Sequence, residues 1–163
     1  MRRCFLFTAA LFAFPSALAL AGPDDDARAR TEAQALLDKG AALFDSRNAA
    51  AMAATYIEDG SVVAIKRQHN ATQGEIELQS FRGRAEIEKG YADIFKERSP
   101  EHRSRNTVDF ARYLGPNLLL IQGRFALNRD QGDSAQFVQV RARVGTDWKI
   151  VSMQLAPLAK DDP

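Results

Sequence analysis

The chain has 163 residues, 45% hydrophobic and 26% charged, with 22 Lys+Arg against 21 Asp+Glu. This describes one domain with enough apolar content for a core, and it excludes a disordered or multi-domain chain. The near-neutral charge argues against a nucleic-acid partner, which would call for a basic excess.

In chain order, residues 1–21 read as a secretory signal peptide. Arg2 and Arg3 form a positive start, an apolar stretch broken by Pro15 follows, and Ala19-Leu20-Ala21 is a cleavage pattern. Arg2-Arg3 also echoes a twin-arginine signal, on a short n-region. The stretch is short for a membrane span, so the expected protein is secreted or periplasmic, is cut near Ala21 and has no stable membrane span afterwards. Cys4 is the only cysteine and leaves with the signal, so the mature chain has no disulfide and no thiolate ligand. Asn70-Ala71-Thr72 matches a glycosylation sequon.

Residues 22–30 read as a flexible polar leader, and a domain is expected over 31–158 with a short tail at 159–163. A first helix carries Leu36, Leu37, Leu43 and Phe44 on one face. Asn48 is positioned to cap a second helix that presents Met52, Ala53, Tyr56 and Ile57. Ser61 to Lys66 and Glu75 to Phe81 read as strands, and Gly83 opens a third helix with Ile87, Tyr91, Ile94 and Phe95. Four more strands follow, separated by turns at Gly115-Pro116-Asn117, Asp130 to Asp133 and Gly145-Thr146-Asp147. In the third of these strands Val138, Val140, Ala142 and Val144 alternate with Gln139, Arg141 and Arg143. The apolar set is expected to face the core. The expected class is α+β, with three helices on one face of a mostly antiparallel sheet.

The element order resembles that of the nuclear transport factor 2-like, SnoaL-like superfamily. Three segments carry the resemblance: Asn48 to Gly60, with its Tyr56-Ile57-Glu58-Asp59-Gly60 end; Phe81-Arg82-Gly83-Arg84-Ala85-Glu86-Ile87; and Trp148-Lys149-Ile150-Val151. The resemblance spans about residues 31 to 157. It implies a cone-shaped, curved sheet with the three helices packed on its concave face. It includes ketosteroid isomerases, whose chemistry needs a carboxylate base and an oxyanion hole of tyrosine and protonated aspartate. An ungapped match anchored on Tyr56 puts Ala64 at the base and Gly40 at the tyrosine. Anchoring on Ile150 puts Val140 at the aspartate. None of these side chains can do the chemistry, so isomerisation is not expected.

The candidate pocket inside the cone is lined by Phe44, Met52, Tyr56, Ala64 and Phe95. Ile121, Phe125, Val140 and Met153 complete it, so Tyr56 is among its few polar groups. His69 and His102, on polar segments at the mouth, are the candidates for a general base or metal pair. No carboxylate or histidine stands at ligand spacing beside them, so no metal is assigned and the plainer reading is two solvated histidines. Glu75 and Glu77 read as a solvated strand face. Arg103, Arg105, Arg112, Arg124, Arg141 and Arg143 could serve an anionic ligand, but the alternation turns Arg141 and Arg143 outward. The outer sheet face would then mix Val63, Ile65, Leu118, Leu120 and Ile150 with Gln139, Arg141 and Gln154, which suits a homodimer.

The expected function is a non-catalytic binding or accessory module whose apolar cone pocket takes a hydrophobic small molecule, with no cofactor. The alternative is a cyclase- or dehydratase-like enzyme using a mouth histidine with Tyr56.

Overall fold

A computed structural model describes residues 23–67, 76–128 and 134–158. The signal peptide, the sequon, His69, Glu75, the turn at 130–133 and the tail at 159–163 lie outside the described residues.

Helix α1 runs Pro23–Asp45. It begins where the sequence pattern suggested a leader. Proline suits a first helical turn, and Asp24, Asp25 and Asp26 sit at the positive end of the helix dipole. Its buried stripe is Ala29, Ala33, Leu37, Ala41 and Phe44, spaced for one face. The small residues let the helix lie close on Ala111, Leu119 and Ile121 of the sheet. Helix α2 is only Ala49–Ala53, and the Asn48 side chain caps it by accepting from the Ala51 N–H at 2.9 Å. The expected second helix therefore stops before Tyr56. Strand β1 (Tyr56–Arg67) starts there instead, because the Tyr56 segment pairs with Ile150 in a parallel ladder. Strand β2 (Ile76–Arg82) leads through Gly83, at φ 80°, into α3 (Arg84–Glu97). On α3 Ile87, Gly90 and Phe95 are buried, while Ile94 is exposed. Strands β3 (Arg105–Gly115), β4 (Leu118–Ala126), β5 (Ala135–Val144) and β6 (Asp147–Pro157) complete the chain.

The sheet order is β2-β1-β6-β5-β4-β3, with β1–β6 parallel and every other pair antiparallel. Among the described residues this is an α+β fold with a mixed six-stranded sheet and three helices. The sheet is open, with β2 and β3 as its edges, and it is neither closed nor strongly curled. The expected cone is absent.

The face assignment of β5 is also reversed. Ala135, Phe137, Gln139 and Arg141 are buried, whereas Val138 is 36% exposed and Val144 53% exposed. The register with β4 sets this facing. Phe137 lies opposite Gly123, and its ring fills the space a Cβ there would take. In β6 the pairing shifts between Ile150 and Ser152, leaving Val151 as an extra residue. Such a bulge changes the parity of a strand, so Trp148 and Ile150 before it point inward with Met153 and Leu155 after it. Ile150 is therefore core rather than outer surface.

One polar clamp ties the helix ends to β3. Asp45 Oδ1 accepts from Arg98 Nη2 at 2.7 Å, from Ser104 N at 2.9 Å and from Ser104 Oγ at 2.8 Å. The Arg98 guanidinium covers the Phe44 ring at 4.6 Å. Burial holds the Arg98 pKa below its ordinary value, and Asp45 opposes that shift.

Candidate functional site

A cavity of about 610 Å³ lies between α1, α3 and the inner sheet face. Aromatic rings build part of its wall. Phe44 meets Phe125 edge-on at 5.5 Å and Tyr91 at 6.2 Å between centroids, and Phe81 and Trp148 add further apolar lining.

Its floor is polar. Tyr56, at the start of β1, is fully buried, and its hydroxyl lies 3.1 Å from that of Tyr91. It also donates toward Met153 Sδ at 3.8 Å. From β5, two residues apart and so on one face, come Gln139 and Arg141, 6% and 5% exposed. Arg141 donates to Gln139 Oε1 from Nε at 3.0 Å and from Nη2 at 2.9 Å. Gln139 Nε2 donates to Met153 Sδ at 3.4 Å.

The electrostatics follow from burial. Desolvation lowers the Arg141 pKa to about 10, and only the Tyr56 and Tyr91 hydroxyls act against it. Desolvation raises the Tyr56 pKa well above the ordinary phenol value, helped by Tyr91, and raises that of Tyr91. Both phenols are therefore neutral donors at neutral pH. Among the described residues no carboxylate pairs with Arg141. The sole carboxylate on the lining is Asp147, exposed at the β5–β6 turn. Lys39 and Lys149 add positive charge to the lining.

Of the residues named from sequence, Phe44, Met52, Tyr56, Ala64, Phe125 and Met153 are on the cavity lining. Phe95 instead packs behind it with Phe44 and Met52. Ile121 belongs to the α1–sheet core. Val140 is on the opposite face of the sheet, as the β5 register requires. His102 stands away from the cavity, where its carbonyl accepts from Arg98 at 2.8 Å. Sequence reasoning weighed Arg141 for an anionic ligand but turned it outward together with Gln139, and it missed Tyr91 as a site residue. A clean apolar/polar alternation signals which side chains share a face, but not which face is inward.

These positions overturn the expected accessory module and take His102 out of the enzyme alternative. The accessory module required an apolar cone pocket; the sheet is not a cone and the cavity floor carries a guanidinium, an amide and two phenols. The enzyme alternative required a mouth histidine near Tyr56. His102 is not there, and His69 lies outside the described residues. Among the described residues no cluster of His, Cys, Asp or Glu could hold a metal ion, and no helix is long and apolar enough to cross a membrane.

No protein-family model matches the chain, and no curated protein matches it. Solved structures do. A domain of unknown function with a cystatin-like fold from Nostoc punctiforme is similar at 16% identity and a TM-score of 0.59, over 86% of this chain and 82% of that one. An NTF2-like protein of unknown function from Pseudomonas putida is similar at 11% identity and 0.58, over 83% and 91%. A ketosteroid isomerase-like protein from Erwinia carotovora atroseptica is similar at 13% and 0.57, over 81% and 96%. At these identities the likeness establishes the fold and nothing about a reaction: this chain shares the fold of NTF2-like (nuclear transport factor 2-like) proteins.

Proposed function

We propose that the cavity recognises an amphipathic organic acid, an apolar body carrying one carboxylate, with Arg141 as its counter-ion. One observation carries this reading: a guanidinium 5% exposed, lining a cavity, with no carboxylate partner among the described residues. A buried unpaired charge costs several kcal/mol, and an anionic guest would offset that cost. Tyr56 and Tyr91 share one hydrogen bond, which leaves one phenol O–H to turn toward the guest, and the apolar walls suit the body of the molecule. The donors stabilise an anionic oxygen; they are not poised to abstract a proton.

Trp148, the only tryptophan of the chain, lines the cavity and reports on occupancy. Its fluorescence should titrate with decanoate at least about tenfold more tightly than with decanol, since a charge-assisted hydrogen bond is worth over 1.4 kcal/mol. Equal affinities, or no binding of decanoate, would refute the reading.

The finer expectations about setting belong to the same proposal. The protein acts after export, cut near Ala21, and intact mass of the exported protein would test this. Two copies pair through the outer sheet face. Its composition supports this, because Leu118 is 41% exposed and Val138 and Val144 also lie open. That face lacks Gln139, Arg141 and Ile150, which the expected interface included. Sedimentation at micromolar concentration should show a dimer that Val138→Glu dissociates; a monomeric parent would refute the pairing.

A further inference from the structure

We infer that Gln139 is a positioning and specificity-determining residue that holds Arg141 in place without neutralising it, so that the charge is kept for an acidic guest. This rests on the carboxylate reading of the cavity.

Gln139 Oε1 receives the Nε–H and one Nη2–H of Arg141 at 3.0 and 2.9 Å. That is the edge of a guanidinium on which a carboxylate commonly docks with two parallel hydrogen bonds. A glutamate has the same shape as glutamine and would close an internal ion pair there. The amide oxygen offers the same acceptor position with only a partial charge. Gln139 is itself oriented, because its Nε2 donates to Met153 Sδ at 3.4 Å. Turning the amide over would set its N–H groups against those of Arg141, donor against donor.

Arginine has five N–H donors, and Gln139 takes two. The remaining three sit on Nη1 and Nη2. A guest carboxylate can therefore dock on the Nη1/Nη2 edge with Gln139 still in position. Among the described residues no carboxylate pairs with Arg141, and a guest in the cavity is placed to bring the countercharge.

The test compares decanoate and decanol on the parent, Gln139→Glu and Gln139→Leu, with thermal unfolding alongside. Gln139→Glu should lower decanoate affinity by about a hundredfold, leave decanol affinity within about twofold, and raise the unfolding midpoint. Gln139→Leu should keep the preference for decanoate but bind it about tenfold more weakly, because Arg141 loses its orienting partner. A Gln139→Glu protein that prefers decanoate as the parent does would overturn the inference. So would a Gln139→Leu protein that binds decanoate as tightly as the parent. A parent without any preference for decanoate fails earlier, and that result sinks the cavity reading itself.

Discussion

Replacing Arg141 by methionine should make this protein more stable while abolishing recognition of the acid. Burial holds the guanidinium at a pKa of about 10, against an ordinary value above 12. Each tenfold step in a protonation equilibrium is worth about 1.4 kcal/mol, so the charged form is disfavoured in the folded chain by about 3 kcal/mol. Arg141→Met removes that cost and keeps an unbranched apolar side chain in the space. It also leaves Gln139 Oε1 without its two donors, which costs about 1–2 kcal/mol. The net gain is about 1–2 kcal/mol, or roughly 2–8 °C in Tm for a domain of this size. A double variant with Gln139→Leu removes the orphaned amide and should approach the full gain. Urea unfolding followed by Trp148 fluorescence measures both. The pH dependence has a definite sign. The lowered pKa means that the unfolded chain binds more protons above about pH 10, so Arg141's unfavourable contribution fades as pH rises from there. Arg141→Met should lose that alkaline relief. If Arg141→Met instead destabilises by more than about 1 kcal/mol at pH 7, the cation is an integral part of the fold and is not held for a guest.

Three further outcomes follow from the packing and electrostatics. Gly123→Ala should cost about 1–3 kcal/mol or more in urea unfolding, since a Cβ there would lie 2.3 Å from the Thr107 carbonyl oxygen and 2.8 Å from Phe137 Cζ. Asp45→Asn should cost about 3–5 kcal/mol, because it leaves the buried Arg98 guanidinium without its charge partner; a loss below about 1 kcal/mol would show that the clamp is ornamental. All three tyrosines, Tyr56, Tyr91 and Tyr113, are held above the ordinary phenol pKa by burial first of all. Phenolate absorbance should therefore show no tyrosine half-ionised at pH 10 while the fold is intact. Their stabilisation is full below about pH 10 and is lost as pH rises through the folded-state values.

Much of the local structure was legible in the sequence. The Asn48 cap, the Gly83 turn and the tight turn at Gly145 rest on interactions within a few residues, so residue type alone indicates them. The α+β class and the third helix rest on hydrophobic period, which is equally local. Large apolar side chains at helical spacing, such as Leu37 and Phe44, share an inward face and could be read from the sequence, whereas Tyr56 reaches the cavity from the start of β1 and not from the expected helix. Facing was not legible where two strands had to agree. Along β5 the alternation separates Val138 and Val140 from Gln139 and Arg141, and an apolar set normally goes inside. The tertiary structure decides the opposite, because Phe137 must fill the gap over Gly123, and a period of two then carries Gln139 and Arg141 inward with it. The extra residue at Val151 does the same for Ile150 and Met153. Sheet curvature, too, depends on how six strands stack and not on any one of them. The sequence by itself determined the elements and their order. Only the pairing of β5 with its neighbouring strands decided that a buried cation, rather than a valine, stands at the floor of the cavity.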